Sequence, residues 1–197
     1  MKLNRRLFVL MFAFGVLATS VEAQLRASKN WRDTPPDTVT LFARVKHRNT
    51  PRINRYSKFS FKYGVRSEVA PEVTRNDFEL QYGNLTLNGD SDWFTVTMVG
   101  DDRSRIRDMG ALNWSDVREV PFLPATAKPH GGVRAPARGQ TFEESSDGQV
   151  SRVVVGHMYV LHAKDPRTDL YALFRVEKLV PNDEVTISWK VVPAPKR

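Results

Sequence analysis

Residues 153–192 read VVVGHMYVLHAKDPRTDLYALFRVEKLVPNDEVTISWKVV. Three runs rich in β-branched and aromatic residues, at 153–162, 170–180 and 185–192, are separated by two short polar breaks. Those breaks, 163–169 (AKDPRTD) and 181–184 (PNDE), carry the proline, asparagine and aspartate that favour turns. Connections this short join antiparallel neighbours, so the segment predicts a three-stranded meander. Gly156, inside the first run, is a bulge signal. Side chains alternate across a strand. Leu170, Ala172, Phe174, Val176 and Lys178 therefore share the expected core side of the middle run, and Tyr171, Leu173, Arg175 and Glu177 share the other. In the third run Val185, Ile187 and Trp189 or Val191 point inward, with Thr186, Ser188 and Lys190 outward. The pattern predicts one buried face and one wet face.

Upstream runs read the same way. Residues 38–45 (TVTLFARV) follow the breaker Pro35-Pro36, and 59–63 (FSFKY) place Phe59, Phe61 and Tyr63 on one side. Residues 78–82 (FELQY) and 85–87 (LTL) flank Gly83-Asn84, a tight-turn or bulge signal, and 93–99 (WFTVTMV) form another strand. Only 103–112 reads as helical: Ile106, Met109 and Leu112 fall near one side, Asp101 and Asp102 precede it, and Gly110 acts as a stop. The expected fold class is mainly β, an antiparallel sandwich or small barrel with a C-terminal three-stranded meander. A long Pro/Gly-rich loop interrupts it: residues 121–150 hold four prolines and four glycines, and read as a flexible insertion in a single domain.

The N-terminus predicts export. Lys2, Arg5 and Arg6 precede an uncharged apolar run of 12 residues, 7–18, and small residues at Val21-Glu22-Ala23. This is the layout of a signal peptide over 1–23, cut after Ala23. A bilayer span takes roughly 20 apolar residues, so the run is too short for one. The remaining 174 residues, 24–197, form the expected domain, without a transmembrane segment and destined for the periplasm or the extracellular space. There is no cysteine, which removes disulfides, thiolate chemistry and N-terminal lipid attachment and leaves the fold to its apolar core.

Charge supplies the functional expectation. The chain is formally +8, or +6 without residues 1–23. Residues 38–67 contain eight cations and no acid: Arg44, Lys46, Arg48, Arg52, Arg55, Lys58, Lys62 and Arg66. Residues 68–92 reverse the sign, with Glu68, Glu72, Asp77, Glu79, Asp90 and Asp92 against Arg75. A basic segment concentrates anions, unless the acidic segment folds against it. A second basic row, Arg103, Arg105 and Arg107, lies along one side if 100–110 is extended, about 6.8 Å apart. Guanidinium groups so spaced suit carboxylates or phosphates.

No zinc-protease, nucleophile-elbow, phosphate-loop or dinucleotide motif is present, and His157 and His162, five apart, point to opposite faces of a regular strand. Neither a cofactor nor a metal is therefore expected, and no stretch carries a family signature. The expected role is a non-catalytic, exported interaction module whose basic face meets an anionic glycan, lipid head groups or an acidic protein, with nucleic acid a weaker fit. The competing expectation is a secreted hydrolase of cell-wall glycan or peptide using carboxylates near 101–108, such as Asp101, Asp102 and Asp108.

Overall fold

A computed structural model describes residues 30–50, 53, 55–66, 78–96, 102–126 and 138–196. The expected export segment, Arg52, Asp101 and residues 127–137 lie outside them. Among the described residues ten strands make two antiparallel five-stranded sheets. In chain order they are β1 (Asp37–Phe42), β2 (Lys58–Ser60), β3 (Val65–Arg66), β4 (Leu80–Tyr82), β5 (Trp93–Val96), β6 (Arg105–Ala111), β7 (Val150–Arg152), β8 (His157–Asp165), β9 (Thr168–Val180) and β10 (Glu184–Val192). One sheet runs β1-β10-β9-β8-β6 and the other β3-β2-β4-β5-β7. They form a sandwich and not a closed barrel.

The meander is as read. Strands β8, β9 and β10 pair in sequence, with Tyr159 opposite Phe174 and Phe174 opposite Trp189. Between the sheets, Tyr159 stacks on Phe174 at 5.1 Å, and Phe94 of β5 meets Phe174 edge-on at 5.2 Å. Phe59 meets Trp189 at 5.1 Å. Edge-to-face and stacked pairs of this kind add roughly 0.5–1.5 kcal/mol each beyond burial.

Two expectations about the meander change. Lys178 is exposed, and Leu179 packs against the core in its place. The cause is a bulge: Thr186 pairs Lys178 while Ile187 pairs Val176, so Glu177 is the extra residue and the alternation shifts by one. The outer face is not wet either. Met158, Val160, Tyr171, Leu173 and Val192 are buried beneath Trp31, Val117 and Leu123. Lys190 lies in this layer at 8 % exposure, its Nζ donating to the Trp31 carbonyl at 2.9 Å and sitting 4.8 Å from the Trp114 ring. Burial lowers its pKa, partly opposed by Asp33. The segment before β1 thus straps across the sheet.

The expected helix at 103–112 is strand β6, with Ile106 opposite Leu161 and Asp108 opposite Tyr159. Pairing with β8 overrides the local acid-first pattern, and a bulge with Gly110 at φ 84° interrupts it. The strand expected at 59–63 stops at Ser60. Residues 61–64 turn, with Gly64 at φ 67°, although Phe59 and Phe61 both reach the core. Residues 85–87 give only a bridge, Leu87 to Asp90. Gly83, at φ 61°, lies so close to Ala43 that a Cβ would stand 2.5 Å from its Cα. The first run of the meander starts late: 153–156 is irregular and β8 begins at His157. Around the 121–150 segment, Leu123 and Phe142 are buried, and a helical turn spans Phe142–Ser145.

The two long sides of the sandwich differ. On one, the sheets are joined through the backbone: the Ile106 N–H donates to the Gly148 carbonyl at 2.8 Å and the Val96 N–H to Gln149 at 2.9 Å. On the other, a groove of about 630 Å³ separates the edge strands β1 and β3, spanned by Arg66 donating to the Thr40 carbonyl at 3.1 Å.

Phe174→Ala is expected to cost about 3–5 kcal/mol in urea unfolding, as a ring in the shared core is lost. Val155→Ala, at 52 % exposure, is expected to stay within about 0.5 kcal/mol.

Candidate anion-binding sites

With Arg52 outside the described residues, the other seven cations of 38–67 do not form one face. Antiparallel order divides them between the two ends of the sandwich. At the end holding the β9–β10 turn, the β1–β2 connection makes a helical turn, Arg44–His47, from a stretch without acids. Arg44, Lys46, Arg48 and Arg55 are exposed there. Arg44 donates to the neutral Asn84 Oδ1 at 3.1 Å. Lys46 and His47 both meet Asp183, at 2.7 Å each, and hydrogen bonds from Lys46 and then His47 hold the Asp183 carboxyl below its ordinary range. Lys58 lies over the Phe78 ring at 4.2 Å, and Arg66 over Tyr56 at 4.6 Å.

Among residues 68–92, the described acids are engaged elsewhere. Asp90 pairs with Arg152 at 2.9 Å. Asp92, buried, accepts from the Tyr82 hydroxyl at 2.6 Å and the Asn182 N–H at 2.8 Å. Glu79 turns inward under residues 61–64. Its Oε2 accepts from the Phe61 N–H at 2.6 Å and the Lys62 N–H at 3.4 Å. Its Oε1 accepts from the Ser60 hydroxyl at 3.4 Å. Burial pushes the Glu79 carboxyl up to about 8, although these hydrogen bonds and the Lys62 charge pull it down.

Lys62 lies at the opposite end of the sandwich, where the β8–β9 turn and the exit of β10 converge. It is 9 % exposed, and its Nζ donates to the Arg167 carbonyl at 3.3 Å. A cleft of about 420 Å³ opens beside it, lined also by Lys164, Asp165, Arg167, Asp169 and Tyr171. A second cleft of about 350 Å³ shares Lys164, Asp169 and Tyr171 and reaches Phe122 and His162. Lys164 and Asp169 pair across the boundary. His162 stacks on Tyr171 at 4.2 Å, with Nδ1 2.7 Å from the Leu123 carbonyl and Nε2 3.0 Å from Asp169. Partial burial pushes Asp169 up, but hydrogen bonds from Lys164 and His162 outweigh it and hold the carboxyl below its ordinary range.

The arginine row is extended, though only Arg105 and Arg107 lie in β6. Arg105 pairs with Asp147, and Arg107 is exposed. Arg103 precedes the strand, its N–H donating to the Lys164 carbonyl at 2.7 Å. Among the described residues the acids and histidines do not converge. Asp102 is buried and accepts from the Ser104 N–H at 2.7 Å. Asp108 meets His157 at 2.8 Å, whereas His162 faces Asp169. His157 and His162 stand about 17 Å apart along β8. Among the described residues no three His, Asp or Glu side chains gather as metal ligands.

Sequence reading missed Glu79, whose place in an apparent strand disguised an inward carboxylate. It also missed Lys164, Arg167 and Asp169, which it counted only as turn residues. The available signal was the density of charge in AKDPRTD at the tip of the best-defined hairpin.

Compared with known proteins, the chain matches no family model, no curated sequence and no solved structure.

The raised Glu79 pKa fixes a pH dependence. An unfolded chain ionises Glu79 near 4.5, whereas the folded chain resists until about 8. Its contribution to stability is fully present below the first value, is lost as pH rises between them, and is constant above. Glu79→Gln is expected to flatten this loss and to be more stable than the parent at pH 8.5, by on the order of 5 kcal/mol, with little difference at pH 4. Urea midpoints across that range measure it.

Proposed function

We propose that this chain is an exported, non-catalytic interaction module that holds an anionic polymer through the basic end of its sandwich. One observation carries the reading: Arg44 and Arg55 stand exposed on an acid-free connection, and Arg44 is held by an amide oxygen, which orients the guanidinium without cancelling its charge. Arg48 is exposed on the same connection, while Lys46 is already matched by Asp183. A glycan with regularly spaced carboxylates or sulfates meets such a surface by charge-assisted bonds and by attraction at longer range. Export follows from residues 1–23 and would bring the surface to envelope or extracellular polymers. Among the described residues no helix is long and apolar enough to cross a membrane.

The competing hydrolase needs carboxylates and a base in one pocket. Asp102 spends its carboxylate on a local turn, and the pairs Asp108–His157 and Asp169–His162 stand apart along β8. That separation favours binding over catalysis.

Titration with a heparin-like polymer and with anionic vesicles, at low and high salt, tests the reading. Polymer affinity is expected to fall about tenfold or more as the charges are screened. The double variant Arg44→Glu/Arg55→Glu should lose binding to a similar degree with an unchanged melting temperature. Absent or salt-independent binding overturns the reading, and vesicle binding alone redirects it to lipid head groups.

A further inference from the structure

We propose that the cleft between residues 61–64, the β8–β9 turn and the exit of β10 binds a single acidic sugar, its carboxylate taken by Lys62 and Arg167. The inference concerns the end of the sandwich opposite Arg44 and Arg55, and it goes beyond the polymer reading.

Lys62 is the first ground. A lysine at 9 % exposure ordinarily has an anionic partner or several oxygens around its ammonium. Here its Nζ has one neutral acceptor, the Arg167 carbonyl at 3.3 Å, and the Tyr63 ring at 5.1 Å. Two of its three protons remain for a ligand. The acid beneath the turn, Glu79, spends its oxygens on the Ser60 hydroxyl and the Phe61 and Lys62 N–H groups. Burial also keeps it uncharged up to about pH 8, so it does not neutralise Lys62 at neutral pH.

Arg167 is the second ground. Its backbone is fixed, the N–H donating to Asp165 Oδ1 at 2.6 Å, while its side chain is exposed at the cleft mouth with no partner among the described residues. A fixed main chain beneath an unengaged guanidinium gives a cation that can fold over a ligand without moving the hairpin.

The remaining wall chooses the ligand class. Asp165 and Asp169 line the same cleft as the cations, and Tyr171, buried and stacked on His162, closes its floor. Two carboxylates repel a phosphate-dense polymer or a dianionic head group, yet they accept hydrogen bonds from hydroxyls. One carboxylate, several hydroxyls and a compact ring satisfy this mixture, and a volume of about 420 Å³ accommodates one sugar ring. Lys164, held by Asp169, separates this space from the adjoining cleft and marks where a second residue of a glycan would continue.

The test is calorimetric titration of the full chain with a glucuronate-containing disaccharide, its methyl ester and inorganic phosphate. Saturable binding of the free acid is expected, weakened about tenfold or more by esterification and to a similar degree by Arg167→Gln. Arg167 is exposed, so that variant keeps the fold, whereas Lys62→Gln perturbs a buried position and is read only if its melting temperature holds. Lys178→Gln, at an exposed position outside the cleft, should leave disaccharide affinity unchanged. No saturable binding, or binding indifferent to both the ester and Arg167→Gln, overturns the proposal. Phosphate binding as tightly as the disaccharide overturns the sugar assignment. Because the disaccharide is tested on residues other than Arg44 and Arg55, failure here and failure of the polymer reading are separately visible.

Discussion

Everything else in this molecule leans on the meeting of aromatic rings between the sheets. Phe174 lies at the centre of the long strand β9, stacked on Tyr159 from its own sheet and met edge-on by Phe94 from the other. Phe61 and Trp189 extend the contact toward the cleft end. With no cysteine to cross-link the sheets, their registration comes from these contacts and from the alternation that aims the rings inward. The charged ends described above are the overhangs of that layer.

The meander was legible because three long runs with strong turn residues leave few alternatives. What escaped was the layer above it. Tyr171 and Leu173 looked like a mixed solvent face, since the residues that cover them, Trp31, Val117 and Leu123, lie far away in sequence. The bulge at Glu177 escaped for a related reason: a one-residue slip in pairing leaves no mark in composition. At 103–112, acids first and a terminal glycine describe a helix well, yet the open edge of β8 offered more hydrogen bonds than two helical turns could supply.

The sites were legible in part. The run of cations was plain, but its division between two ends depends on where β2 stops, and β2 stops two residues after Lys58. Lys62 consequently lies in a turn beside Arg167, with Glu79 buried beneath it. Linear charge therefore located the cations correctly and misjudged their company. Neutral oxygens hold Arg44 and Lys62, a third arrangement beside the open basic face and the pairing of opposite segments.

The unequal sides of the sandwich carry a dynamic consequence. Main-chain bonds stitch the sheets together at β6 and Gly148, while the β1–β3 side is parted by a groove that Arg66 spans, with a longer main-chain bond, Phe42 N–H to the Tyr56 carbonyl at 3.3 Å, at one end. Thermal opening must then follow a book's motion, with the spine at β6–β7 and the pages parting at β1 and β3. Amide protons of Val65 and Thr38 should exchange with deuterium long before those of Leu161 and Phe174, and an unfolding chain would shed its first strand while the meander still stands.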